Sequence, residues 1–188
     1  QFARRGYVAA SIYYRVNWNP LSNDADVRRG TLLRAVFRAI IDAKTAVRFF
    51  RKEYAENNNP YNIDPNKVML LGEGSGGYVA LAYATLDKFS EIALPKFLNA
   101  QNQPVLDTAV IGNFEGFGGT ENFDNHTGYS ADVQLVTNLG GALADTSWME
   151  PGDAPMVAFQ CPRDPFAPYL DGTVVVPTTN ENVVDVQG

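Results

Sequence analysis

At 188 residues the chain is too short for two ordinary domains of about 150 residues each, and its 45% hydrophobic and 19% charged composition excludes disorder and allows a sizeable core. No run of about 18 apolar residues occurs, which excludes a membrane-spanning helix, and the net charge of −6 argues against nucleic acid as a partner. One cysteine, Cys161, excludes an internal disulfide or a cysteine metal cluster, and one histidine, His126, limits both metal and nucleophilic chemistry.

In chain order, Tyr7-Val8-Ala9-Ala10-Ser11-Ile12-Tyr13-Tyr14 follows Gly6 as a β-rich apolar run and predicts a buried strand. From about Thr31 to Glu56, Leu33, Val36, Ile40, Ala43, Val47, Phe50 and Tyr54 recur at steps of three and four, the signature of a long amphipathic helix. Eleven of the 15 Lys and Arg lie at or before Lys52, against three acids, so residues 1–52 carry +8 and the remainder −14. Because Arg34, Arg38, Lys44, Arg48, Arg51 and Lys52 fall largely off the apolar stripe, they read as a solvated helix face rather than an anion-docking surface. Asn57-Asn58-Asn59-Pro60 supplies the stop.

Val68-Met69-Leu70-Leu71 then predicts a short buried strand, Gly72 to Gly77 a turn, and Tyr78 to Ala84 a helix, which is the strand-turn-helix order of a parallel α/β sheet. Further strands are expected at Val133–Leu139 and Pro155–Gln160, and one more at Val105–Ile111 within an aromatic, Gly- and Asn-rich stretch from Asp87 to Asp132 that reads as an insertion over the sheet.

A glycine-rich turn between strand and helix serves three chemistries. The phosphate loop needs a Lys after the glycines, and none is present. Gly72-Glu73-Gly74-Ser75-Gly76-Gly77 matches GxGxxG by letter, but no acidic residue ending a second strand follows about 20 residues later, as a dinucleotide site requires. The third is the nucleophile elbow, in which small residues flank a serine held on a strained turn above the sheet.

With these pieces in order, the chain resembles the carboxylesterase- and lipase-like members of the α/β-hydrolase family. Phe2 to Arg15 is similar to the family's "GYvvvsvdYR" strand, Asp42 to Phe49 to the helix after it, and Ile63-Asp64-Pro65-Asn66-Lys67-Val68 to the approach to the elbow. Gly72 to Gly77 aligns with GESAGG, and Asp153 to Phe159 with Asp164 to Tyr169 resembles the "aPvlifhGtaDpvVPy" segment that carries the acid. The resemblance implies an α/β fold with a mostly parallel sheet and flanking helices. Its implied activity is hydrolysis of a small-molecule carboxylic ester, without cofactor or metal.

In register with GESAGG the nucleophile position is Gly74, and Ser75 stands one place later, where the family's backbone N–H joins the oxyanion hole. A slipped reading makes Ser75 the nucleophile and puts Glu73 where the tight turn demands a small side chain. Two functions follow: an ester hydrolase using Ser75, with Gly72, Gly74, Ser75 and Gly76 supplying the elbow backbone, or a degenerate binding or structural module lacking the nucleophile. Asp164 matches the triad acid that orients a histidine, with the capping of its own turn as the alternative.

His126 precedes Asp164, against the family order of nucleophile, acid, histidine, and reads as a loop residue. Asn125-His126-Thr127 is an N-glycosylation sequon, which leans the expectation towards a secreted location. In the insertion, Phe89, Phe97, Phe114, Phe117, Phe123 and Tyr129 read either as a lid or acyl-binding wall or as ordinary core.

The family's upstream HGG-type loop, its early strands and its last strand with the histidine have no counterpart in these residues. Residues 1–188 are therefore expected to form a partial hydrolase domain, with the insertion at about 87–132, completed by missing segments or a second chain.

Overall fold

The computed structural model describes residues 2–122 and 125–188. A long helix, α1 (Ala25–Glu56), opens the regular structure after a single 3-10 turn at Ala3–Arg5. Asp24 caps α1 by accepting from the Asp26 and Val27 amides, and at the other end Asn58 and Asn59 take left-handed backbone (φ 56 and 53) just before Pro60.

Next come β1 (Met69–Glu73), α2 (Ser75–Thr85), the single turn α3 (Thr108–Ile111), β2 (Leu135–Leu139), β3 (Met156–Phe159), β4 (Asp171–Val175) and β5 (Asn182–Gln187). The first three strands form one parallel sheet in the order β1-β2-β3, with Leu70 beside Val136 and Val136 beside Met156. The chain is thus a mixed α/β protein with a parallel sheet, as the strand-turn-helix pattern predicts. The last two strands form a separate antiparallel hairpin tied back through the Leu143–Gln187 bridge.

α2 packs on one face of the sheet, over Leu70, Val136 and the buried Asn138, and α1 packs on α2. The other face stays open: Met69, Leu71, Val157 and Phe159 are all exposed there, and β1 has a partner on one edge alone among the described residues.

Three expectations are corrected. Tyr7–Tyr14 is no buried strand: Tyr7 to Tyr13 are exposed and the run joins no sheet. A strand exists only where another strand accepts its ladder, and here the end of the run is held instead by side-chain contacts of Tyr14 and Arg15. At Val105–Ile111 the last four residues form α3, because Asp107 accepts from the Ala109 amide and starts a helical turn.

The basic side of α1 is not a solvated face. Arg48 is 1% exposed and Lys44 6%, and both clamp the 87–132 stretch onto the helix. Lys44 donates to the Phe114 carbonyl at 2.7 Å and to Glu115 at 2.7 Å, while Arg48 donates to the Glu115 carboxylate and the Tyr129 carbonyl and lies 4.8 Å over the Phe117 ring. Farther along, Arg34 and Arg38 both donate to Glu121, and Arg51 donates to the carbonyls of Pro65, Ser130 and Asp132. Each donor fills a carbonyl or carboxylate that the irregular segment cannot satisfy internally, which is why a basic helix suits a partner with little ladder of its own.

The hairpin of β4 and β5 has no counterpart among the strands expected from sequence. Val176, Val183, Val184 and Val186 are buried against the main body, and Arg28 of α1 reaches Glu181 at 3.6 Å.

Candidate active site

Leaving β1, the chain turns back into α2 within one residue. Gly74 is that residue, at φ 55 and ψ −117, a combination that side chains rarely tolerate. Its amide donates to the Leu139 carbonyl at 2.9 Å and its carbonyl accepts from Gly77, so the apex is fixed by both β2 and α2. The turn closes so tightly that a Cβ on Gly72 would stand 1.9 Å from the Gly76 carbonyl oxygen. A Cβ on Gly74, in contrast, would meet nothing within 4 Å. Glu73 belongs to β1 and is exposed.

Ser75 is the first residue of α2, in the turn whose N–H groups lack intrahelical acceptors. Its Oγ and the Tyr14 Oη are 3.1 Å apart, and either can donate. Tyr14 is held there by its neighbour: Arg15 donates to Asp42 of α1 from its backbone N at 2.7 Å and from Nε at 2.9 Å, and from Nη1 to the Glu121 carbonyl at 2.9 Å.

Asp164 lies on the same edge of the sheet, past the end of β3. A Cβ on Gly140, just beyond β2, would be 3.6 Å from its Oδ2. Its Oδ1 accepts from the Phe166 and Ala167 amides at 2.8 and 3.0 Å, which closes its own loop. These two bonds, the Ala167 one foremost, hold the carboxyl below the usual carboxylate range. The nearby Tyr78, whose hydroxyl donates to the Phe166 carbonyl at 2.9 Å, is pushed up to about 12, chiefly by burial and then by the Asp164 charge. Gly72, Gly74, Ser75 and Gly76 therefore share one turn, and Asp164 stands two strands over at the same end of the sheet.

His126 is elsewhere. Its ring packs on Phe49 at 5.8 Å in the last third of α1, next to Arg51, which binds carbonyls at the entry of β1 and before β2. That is the end of the sheet opposite the elbow. Asn125 of the sequon is buried and its amide nitrogen donates to the Gly116 carbonyl, so the atom that a glycan would join is already used inside the fold.

Of the aromatic residues in the 87–132 stretch, Phe97 and Phe114 are buried, Phe117 and Tyr129 are half-buried, and Phe89 is exposed. Phe114 stacks on Phe37 of α1 and on Phe89, Phe97 meets Trp148, and Tyr129 donates to Glu56; Phe123 lies outside the described residues. Two site contacts had no signal in the sequence. One is Tyr14, read as the end of a strand. The other is Asn138, whose side chain bonds both the amide and the carbonyl of Gly141 and braces the turn under α2.

A family model described as BD-FAE matches residues 1–174, that is, everything described so far except most of the C-terminal hairpin. No curated protein and no solved structure matches the chain.

Proposed function

Because this chain belongs to the BD-FAE family, which is esterase-like and related to the α/β-hydrolases, we propose that it hydrolyses carboxylic esters, with Ser75 as the attacking group. The observation that carries this reading is the Ser75 hydroxyl: it opens α2 beside the elbow, exposed, with a second hydroxyl in hydrogen-bonding contact. The N–H groups at the start of α2, with the positive end of the helix dipole, favour the oxygen that becomes negative as the carbonyl is attacked. Asp164, at the same end of the sheet, stands at the position that the resemblance gives to the acid, and its Oδ1 accepts from the Phe166 and Ala167 amides.

Gly74 favours a second reading. It occupies the strained apex and carries no side chain, so a degenerate elbow would bind the carbonyl end of a ligand without cleaving it. In either case the architecture is that of a partial hydrolase domain over residues 1–188, with 87–132 inserted. The open edge of β1 and the exposed apolar face beside it support completion by a further segment or chain.

Turnover of p-nitrophenyl acetate and butyrate by the wild type and by Ser75→Ala separates the two. Hydrolysis that disappears in Ser75→Ala supports the Ser75 reading. A wild type with no turnover, still bound by a non-cleavable butyrate analogue, assigns the degenerate one.

A further inference from the structure

We propose that Tyr14 is the proton-transfer residue for Ser75, taking the place that an imidazole would fill; this rests on the reading of Ser75 as nucleophile. A nucleophilic serine needs a base within hydrogen-bond reach, and that base needs a third group to orient it. At the elbow Tyr14 Oη stands within that reach, 3.1 Å from Ser75 Oγ, and as a hydroxyl it serves as a relay that takes one proton as it passes on its own. Neither of the other expected partners stands there. His126 sits against Phe49 at the far end of the sheet, and Asp164 has one carboxylate oxygen engaged by two amides and is separated from the elbow by the end of β2.

The orienting group is the Arg15–Asp42 pair. Three donors of Arg15, its backbone N, Nε and Nη2, converge on the Asp42 carboxylate at 2.7 to 2.9 Å. A fourth, Nη1, reaches the Glu121 carbonyl, and three residues on Trp18 Nε1 donates to the Arg28 carbonyl at 3.0 Å. Tyr14 is thus bracketed by anchors to α1, although the seven residues before it are exposed and join no sheet among the described residues. The run is anchored next to Tyr14, whose hydroxyl meets Ser75.

The step balances without any other group. As Ser75 Oγ bonds to the ester carbonyl carbon, its proton passes to Tyr14 Oη, and the Tyr14 proton passes to the departing alkoxide oxygen as the carbon–oxygen bond breaks. The alcohol leaves and an acyl-serine remains. Water then attacks the acyl carbon and gives its proton to Tyr14, while Tyr14 returns one to Ser75 Oγ and the free acid departs. Over each half Tyr14 takes up one proton and passes on one. Asp42 is a positioning residue, acting through Arg15.

The test uses the intact chain and p-nitrophenyl butyrate. Tyr14→Phe keeps the ring and removes the hydroxyl; it is expected to lower kcat by about 100-fold or more with KM within about twofold and an unchanged unfolding midpoint. Tyr14→His, which returns a proton acceptor, is expected to recover part of kcat, and Asp42→Asn to lose less than Tyr14→Phe. Independently, a fluorophosphonate should label the peptide bearing Ser75, read by mass spectrometry, faster in the wild type than in Tyr14→Phe. Full kcat in Tyr14→Phe together with loss in Ser75→Ala overturns the role of Tyr14 and leaves Ser75 standing. Equal labelling rates in wild type and Tyr14→Phe overturn it likewise. A wild type without turnover, or Ser75→Ala with full turnover, overturns the assignment of Ser75 and the inference with it.

Discussion

Arg48 of α1, 1% exposed, donates from Nη2 to the Glu115 carboxylate and from Nη1 to the Glu115 carbonyl, so a single buried guanidinium holds both the side chain and the backbone of a residue 67 positions away. Lys44, one turn earlier, takes the other carboxylate oxygen. The helix that carries the elbow helix on its apolar side thereby carries the irregular stretch on its basic side.

Removing that guanidinium should be costly. In Arg48→Met the stem still packs, but the Tyr129 and Glu115 carbonyls lose their donor and Lys44 alone faces Glu115. Destabilisation of about 2–4 kcal/mol is expected in urea unfolding, from lost charge-assisted bonds and part-buried carbonyls left without their donor. A change under about 0.5 kcal/mol would show that the clamp contributes nothing net.

Elbow glycines should differ sharply in tolerance. Gly72→Ala places a methyl group 1.9 Å from the Gly76 carbonyl oxygen and must shift the backbone, so a loss of about 3 kcal/mol or more is expected. Gly74→Ala meets open space and is strained only by its φ of 55, for about 1–2 kcal/mol. Guanidinium unfolding of both variants checks the order, and equal losses would contradict the tight closure of the turn.

Acid should weaken the attachment of the same stretch at its other end. Hydrogen bonds from Arg38, then Arg34, pull Glu121 from its ordinary 4.5 to about 2. The folded state thus holds the charged form more strongly than the unfolded chain. Its contribution is complete above about pH 4.5 and is lost as pH falls towards 2. Asp164 is also held low and adds to the same slope, so the diagnostic measurement is a difference. Between pH 5 and pH 2.5 the unfolding midpoint of wild type should fall more than that of Glu121→Gln; parallel profiles would refute the coupling.

On the open face of the sheet, polar replacements should cost little and change association. Phe159 is 62% exposed and Val157 42%, so Phe159→Thr with Val157→Thr is expected to alter stability by less than about 1 kcal/mol while reducing binding of a hydrophobic dye. Dye binding equal to that of the wild type would place the exposed apolar surface elsewhere.

Local pattern made the sheet and its two helices legible. The stripe through Ile40, Ala43 and Val47 is buried as its spacing requires, and β1, the turn and α2 fall where an apolar run, glycines and a second apolar run place them. These are decided within a few residues, because periodicity and glycine geometry are local. Strand pairing is not local. Tyr7–Tyr14 has every property of a strand except a neighbour, and whether a neighbour exists depends on residues far along the chain.

The basic face of α1 was misread for the same reason: a charge off the apolar stripe meets water unless a distant segment brings carbonyls to it, as Phe114, Glu115 and Tyr129 do. The sequence by itself determined the α/β class and the glycine turn, with Ser75 in it, between the apolar run of β1 and the helix α2. Only the tertiary structure decided that Gly74 takes the strained apex, that Tyr14 meets Ser75, and that His126 lies at the opposite end of the sheet. Those relations join residues through space, where packing and hydrogen-bond geometry rather than spacing along the chain set which groups can meet.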